Sequence, residues 1–222
     1  MAIVAGGSLE ERLCLRNALL SRLTQASTLL REVAASCLSR GLAHDLVVDD
    51  DFTQLFRIFQ IDDVRVREPI ITELRAHIQG SDEAARRRLV DAGILPAILQ
   101  AYNAGKDDLL GFMSTCMLPM LGPSFTQING GSTLFPLLTH GEPRIRNAAI
   151  QALRNAIDSR HGNIENMAKH CVVETLHPLT ITDDAVRDLW CRILPIAAPF
   201  LANRAEIDIL FVSLEYVVLI IV

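Results

Sequence analysis

Apolar residues recur along this chain at the three- and four-residue spacing of a helix. Ile70, Ile71, Leu74 and Ile78 form one stripe, and Ile145, Ala149, Ala152, Leu153 and Ala156 form a second. Val186, Leu189, Trp190, Ile193 and Leu194 form a third. Each stripe predicts a helix with one buried face. An acid precedes each of them, at Asp63, Glu142 and Asp183. A carboxylate there accepts backbone N–H bonds and complements the positive end of the helix. Pro143 suits a first helical turn, where its missing N–H has no partner to lose. Short β-branched stretches occur, but no Asn-Gly or Asp-Gly turn separates two of them as a hairpin would require. The pattern predicts an all-α chain.

Two phrases repeat with a common period. Leu95-Pro96-Ala97-Ile98-Leu99, Phe135-Pro136-Leu137-Leu138 and His177-Pro178-Leu179 place their prolines 40 and 42 residues apart. The second phrase pairs an acid with an apolar residue and Arg, ending in Val66-Arg67, Ile145-Arg146 and Val186-Arg187. Its spacings are 79 and 41 residues, so a degenerate copy is expected midway through the first gap. Asp107-Asp108-Leu109-Leu110-Gly111 lies there, with Gly111 in place of Arg. A period near 40 predicts a helical solenoid, in which each repeat buries its face only against its neighbours.

Within one period three helices are expected. Ser81 should cap a helix running to Ala92, Gly93 should end it, and Ile94–Ala104 and Asp107–Leu121 should follow. Leu118-Pro119 and Leu194-Pro195 predict a loss of helical regularity, since an interior proline removes a hydrogen bond and kinks or ends its helix. Arg88-Leu89-Val90-Asp91-Ala92-Gly93-Ile94-Leu95-Pro96-Ala97-Ile98-Leu99 resembles the first-to-second helix junction of an armadillo repeat. Ala149-Ile150-Gln151-Ala152-Leu153-Arg154-Asn155 resembles that family's long third helix. Asn155 falls where many armadillo proteins keep a groove asparagine. Gln151 stands at the usual tryptophan position, and Thr72, Ala76, Arg192 and Ile196 also depart from the Trp and Asn ladders. The acid-x-x-apolar-Arg phrase resembles HEAT repeats as well.

These phrases organise the chain as a single armadillo- or HEAT-like α-α superhelix over 1–222. Residues 8–48 read as an amino-terminal helical cap, opened by the capping-box pattern Ser8-Leu9-Glu10-Glu11. Repeats follow at about 49–79, 81–121, 123–159 and 162–201, with an incomplete unit at 203–222. Tyr216–Val222 is apolar on every side, and self-association through that end is one expected consequence.

Composition narrows the chemistry. Half the residues are hydrophobic, which excludes a disordered chain. The net charge of −5, with no basic arm, argues against nucleic acid as the main partner. Five scattered cysteines without a CxxC suit a reducing, intracellular setting, cytoplasmic or nuclear. No signal peptide is read in Met1–Gly7, and the late apolar run of seven residues is short of the roughly 20 that span a membrane. His161, His170, Cys171 and His177 match no zinc spacing, so no metal is expected. Cys116 lies in an apolar helix and reads as packing; His140 is its conceivable partner in a nucleophilic pair, but no orienting third group is evident. No Walker, GxGxxG or GxSxG motif occurs. Gly130-Gly131 reads as an interhelix turn, Trp190 as core, and Arg86-Arg87-Arg88 as a solvated helix face.

The expected function is therefore that of a non-catalytic protein-interaction scaffold, without cofactor, binding a peptide or partner protein along a concave surface. The armadillo resemblance implies that third helices line this surface. The residues off their apolar stripes are Thr72, Glu73, Gln151, Asn155, Asp188 and Arg192. The alternative is a structural or regulatory segment of a larger HEAT-type complex subunit.

Overall fold

The computed structural model describes residues 8–23, 27–42, 49–159, 161–169, 175–181, 183–200 and 208. Every element among them is helical. The fifth unit expected at 203–222, with its apolar end, lies outside the described residues apart from Asp208. His170 and Cys171 lie outside them too. Chain contacts separate two compact units, 1–117 and 118–222, where the periodicity alone reads a single domain.

The first unit begins with α1 (Leu9–Arg22), which opens on the expected capping box: Glu11 N–H donates to Ser8 Oγ, and Ser8 N–H donates to Glu11 Oε2 at 2.8 Å. Then come α2 (Thr28–Leu42), α3 (Asp49–Phe56) with a 3₁₀ turn at Arg57–Gln60, α4 (Val64–Gly80), α5 (Glu83–Asp91), α6 (Ile94–Asn103) and α7 (Asp108–Phe112). Helix α2 packs along α4, and α6 packs on α3 and its 3₁₀ turn. Leu55, Phe59, Ile70, Leu74, Ile78, Leu89 and Ile98 are buried in this core. Asp82, not Ser81, caps α5: Ala85 N–H donates to Asp82 Oδ1 at 2.8 Å. Ser81 instead closes α4, its N–H and hydroxyl both donating to the His77 carbonyl. The carboxylate reaches a first-turn N–H one residue later than the sequence suggested. Gly93, at φ +84°, makes the left-handed break between α5 and α6 that a side chain would strain.

The second unit holds α8 (Leu118–Asn129), a 3₁₀ turn at Phe135–Thr139, α9 (Pro143–Ser159), α10 (His161–Lys169), a 3₁₀ turn at His177–Ile181 and α11 (Asp184–Ala197). Helix α9 packs against α8 most extensively, α10 against α8, and α11 against both α9 and α10. The stripes on α9 and α11 are buried as expected, Trp190 among them. At the Pro136 copy the second helix of the repeat is a 3₁₀ turn, Phe135–Thr139, whereas the expected three-helix unit is realised around Pro96. Gly130 and Gly131 make the turn after α8, both at positive φ.

The prolines do not stop their helices. Helix runs without a break over Asp108–Asn129, past both Pro119 and the boundary expected between 121 and 123. Helix α11 likewise continues through Pro195 to Ala197. Before Pro119 the chain widens to a π turn at Met113–Met117. Ser114 Oγ and Thr115 Oγ1 bond back to the Leu110 and Gly111 carbonyls, each at 2.7 Å. Such a turn accommodates a local break in the hydrogen-bond ladder without ending the helix. By length and composition this 22-residue stretch is also long and apolar enough to cross a membrane, with 61% of its apolar window buried in the protein. A core helix of a soluble protein meets the same description.

The acid-x-x-apolar-Arg phrase folds the same way each time. Asp63, Glu142 and Asp183 accept N–H bonds from Arg65, Arg144 and Ala185 at 3.0, 3.1 and 2.8 Å. Val66, Ile145 and Val186 are buried. The arginine then reaches back over the helix start: Arg67 to the Ile61 carbonyl, Arg146 to His140 at 2.7 Å and Arg187 to Thr180 at 3.0 Å. The degenerate copy differs. Asp107 makes no side-chain cap, and Asp108 pairs with Arg67 one period away, Arg67 Nε lying 3.0 Å from its carboxylate.

Candidate functional site

The six residues singled out in the sequence divide between the units. Thr72 and Glu73 lie on α4, the first exposed and the second half-buried. Gln151 and Asn155 lie on α9, and Asp188 and Arg192 on α11.

The four residues of the second unit are drawn into local networks on two packed helices. Gln151 Nε2 donates to Asn155 Oδ1 at 2.7 Å, across one helical turn. Asn155 Nδ2 donates to the Pro119 carbonyl at 2.8 Å. That carbonyl lacks its usual helical partner, because the residue four positions on is Pro123, which has no N–H. Asn155 thus completes α8 from the side. Beside it, Arg154 bonds Asp188 Oδ2 at 2.8 Å, joining α9 to α11, and Arg192 Nε approaches the same oxygen at 3.5 Å. One carboxylate between two guanidiniums leaves the cluster with a net positive charge. Arg154 was not singled out in the sequence; its partner lies 34 residues away, and no local spacing announces the pair.

Asn155 therefore has an internal role where the armadillo resemblance implies a groove contact. Gln151, Asp188 and Arg192 remain exposed. Together with Arg154 they form a polar surface whose side chains are held by one another.

Cys116 is buried, and burial pushes its thiol pKa up, away from the reactive thiolate. Arg86 Nε donates to the Ile78 carbonyl at 3.0 Å, near the carbonyl end of α4. His177 tilts against Trp190, ring centroids 5.6 Å apart. Among the described residues no three His, Cys, Asp or Glu side chains are grouped to hold a metal ion.

No family model matches the chain, and no curated protein matches it. Among the solved structures similar to this chain are three described as engineered proteins. The first shares 19% identity over 83% of this chain and 79% of its own, with a TM-score of 0.45. The second shares 19% identity over 89% and 85%, with a TM-score of 0.44. The third shares 20% identity over 94% of this chain but 54% of its own, with a TM-score of 0.48.

Proposed function

We propose that this chain is a non-catalytic scaffold built from armadillo- or HEAT-type repeats, binding a peptide or partner protein on the exposed surface of α9 and α11. The observation that carries this reading is the bridge from Arg154 through Asp188 to Arg192, beside the Gln151–Asn155 pair. Side chains already held in place lose less freedom when a ligand arrives. The excess of guanidinium over carboxylate favours an acidic segment. Free cysteines at Cys14, Cys37, Cys116 and Cys191 are compatible with a reducing intracellular compartment.

One observation favours the alternative, a segment of a larger HEAT-type subunit. The Pro136 copy shortens the middle helix to a 3₁₀ turn while keeping the arginine clasp, which approaches a two-helix repeat. Selection of displayed peptides on the full chain tests the first reading. Peptides rich in Asp and Glu are expected, and the Gln151→Ala/Arg192→Ala double variant should weaken them about tenfold. Binders indifferent to both substitutions would remove this surface. Failure to select any short peptide, with the chain instead forming one stable stoichiometric complex, would favour the subunit reading.

A further inference from the structure

Helices α1, α2 and α3 and the 3₁₀ turn at Arg57–Gln60 border a recess of about 230 Å³ in the first unit. Its floor is apolar: Leu20, Leu23 and Ile58 are buried, and Ile61 completes it. Among the described residues its polar lining is Gln54, Arg31 and Arg57, with no carboxylate. Arg31 is half-buried. Its Nε is closed off from solvent and has no hydrogen-bond partner among the described residues, while Nη2 makes a 3.3 Å contact to Thr28 Oγ1. A guanidinium keeps its charge and its five donors at any ordinary pH, so a shielded, unmatched N–H is a standing cost that an incoming acceptor relieves.

Two acids that feel the charge of Arg31 have partners of their own. Asp62 is held by Lys106, and Asp63 by Arg65 at 3.0 Å. Both feel the positive charge of Arg31, which adds to the stronger effects of Lys106 and Arg65 in holding their carboxyls below the usual range. The recess is smaller than the roughly 300–1,000 Å³ of pockets for drug-sized ligands. It suits one short apolar body. A bare inorganic ion would leave the apolar floor wet.

We propose that this recess binds a carboxylate carrying a short apolar body, its oxygens taken by Arg31 and Arg57 and its apolar part laid on Leu20, Leu23, Ile58 and Ile61. Two planar donor forks beside an apolar floor match that chemistry, since guanidinium and carboxylate pair edge to edge. Such a group is found on a free short-chain acid and on the carboxyl-terminal residue of a peptide. The proposal is independent of the α9 and α11 surface.

Amide NMR titration of the full chain with hexanoate, and with hexanamide as its uncharged twin, tests it. Hexanoate should shift resonances of residues 20–23, 31 and 54–61, and hexanamide should bind at least about tenfold more weakly, for want of a charge-assisted bond. Arg57 is exposed, so Arg57→Gln should weaken hexanoate about tenfold with the melting curve unchanged. A peptide ending in free Leu, set against the same peptide amidated, separates the two sources. Tighter binding of the free-acid peptide than of hexanoate supports a peptide terminus, and hexanoate binding alone supports a small acid. Equal binding of hexanoate and hexanamide, shifts confined to other residues, or indifference to Arg57→Gln would each overturn the proposal.

Discussion

Arg67 in the first unit and Asn155 in the second both reach across about one repeat to serve a distant partner. Arg67 spans 41 residues to Asp108, and Asn155 spans 36 to the Pro119 carbonyl. The physics differs. Arg67 is 3% exposed and carries a full charge, so its carboxylate partner must stay in place. Asn155 is neutral and half-buried, and it satisfies a carbonyl that a proline left without a donor. The second unit adds contact of another kind: at Gly122, α8 meets the α9 backbone so closely that a Cβ would fall 2.2 Å from the Ala152 carbonyl oxygen. One unit joins its helices through a buried charge, the other through bare backbone and a borrowed amide. A charge pair tolerates small displacements of its helices, whereas backbone contact does not.

The largest expected effect breaks the backbone contact. Gly122→Ala should destabilise the second unit by about 3 kcal/mol or more, beyond ordinary overpacking, because the obstacle is backbone and not a rotatable side chain. Ala152→Gly should not rescue it, since the Ala152 atoms in the way are carbonyl and Cα. Urea unfolding of the two single variants and the double variant reads both statements. Full rescue would mean that the helices are not this close.

Next comes the charge. Asp108→Ala leaves Arg67 buried without its carboxylate and should cost about 3 kcal/mol, the low end for a broken buried pair because Asp108 is itself 29% exposed. The acid-cap substitution Asp183→Ala in a regular copy should cost only about 1 kcal/mol, as a lost N-cap does. Equal costs at the two sites would erase the distinction between the degenerate copy and the regular ones.

The smallest effect sharpens the role of the borrowed amide. Asn155→Ala should cost about 1 kcal/mol, since the partner carbonyl regains water only in part. Pro123→Ala restores an N–H that can serve the Pro119 carbonyl from within α8, so in its presence Asn155→Ala should cost much less. Thermal melts of the four-member cycle measure the coupling. Strict additivity would separate Asn155 from Pro123 and return it to the surface as a free binding side chain.

The helical class, the three buried stripes and the acid caps were legible because they rest on local spacing. An apolar stripe at three- and four-residue intervals has one way to be buried, and a carboxylate before it has donors within reach. The arginine at fixed offset was legible as a repeat, although its use as a clasp on the preceding carbonyl was not. The loss of regularity expected at Pro119 takes the form of a π turn, and the helix runs on beyond Leu121, where the repeat was expected to end. Proline weakens a helix locally, but the π turn at Met113–Met117 and the Asn155 amide supply what Pro119 and Pro123 disturb.

Of the six residues named from the sequence, Asn155 changed meaning most. Its position in a repeat pointed outward to a ligand, and the packing of α8 on α9 turned it inward to a carbonyl. Arg154 went unnoticed for the same reason in reverse, since its partner Asp188 belongs to another helix. The recess beneath Arg31 and Arg57 likewise unites residues from four elements. Periodicity determines which face of each helix avoids water, because that choice depends only on neighbours three and four residues away. Which polar groups meet across helices, and which are left waiting for a partner, depends on how those faces pack, and only the tertiary structure decides that.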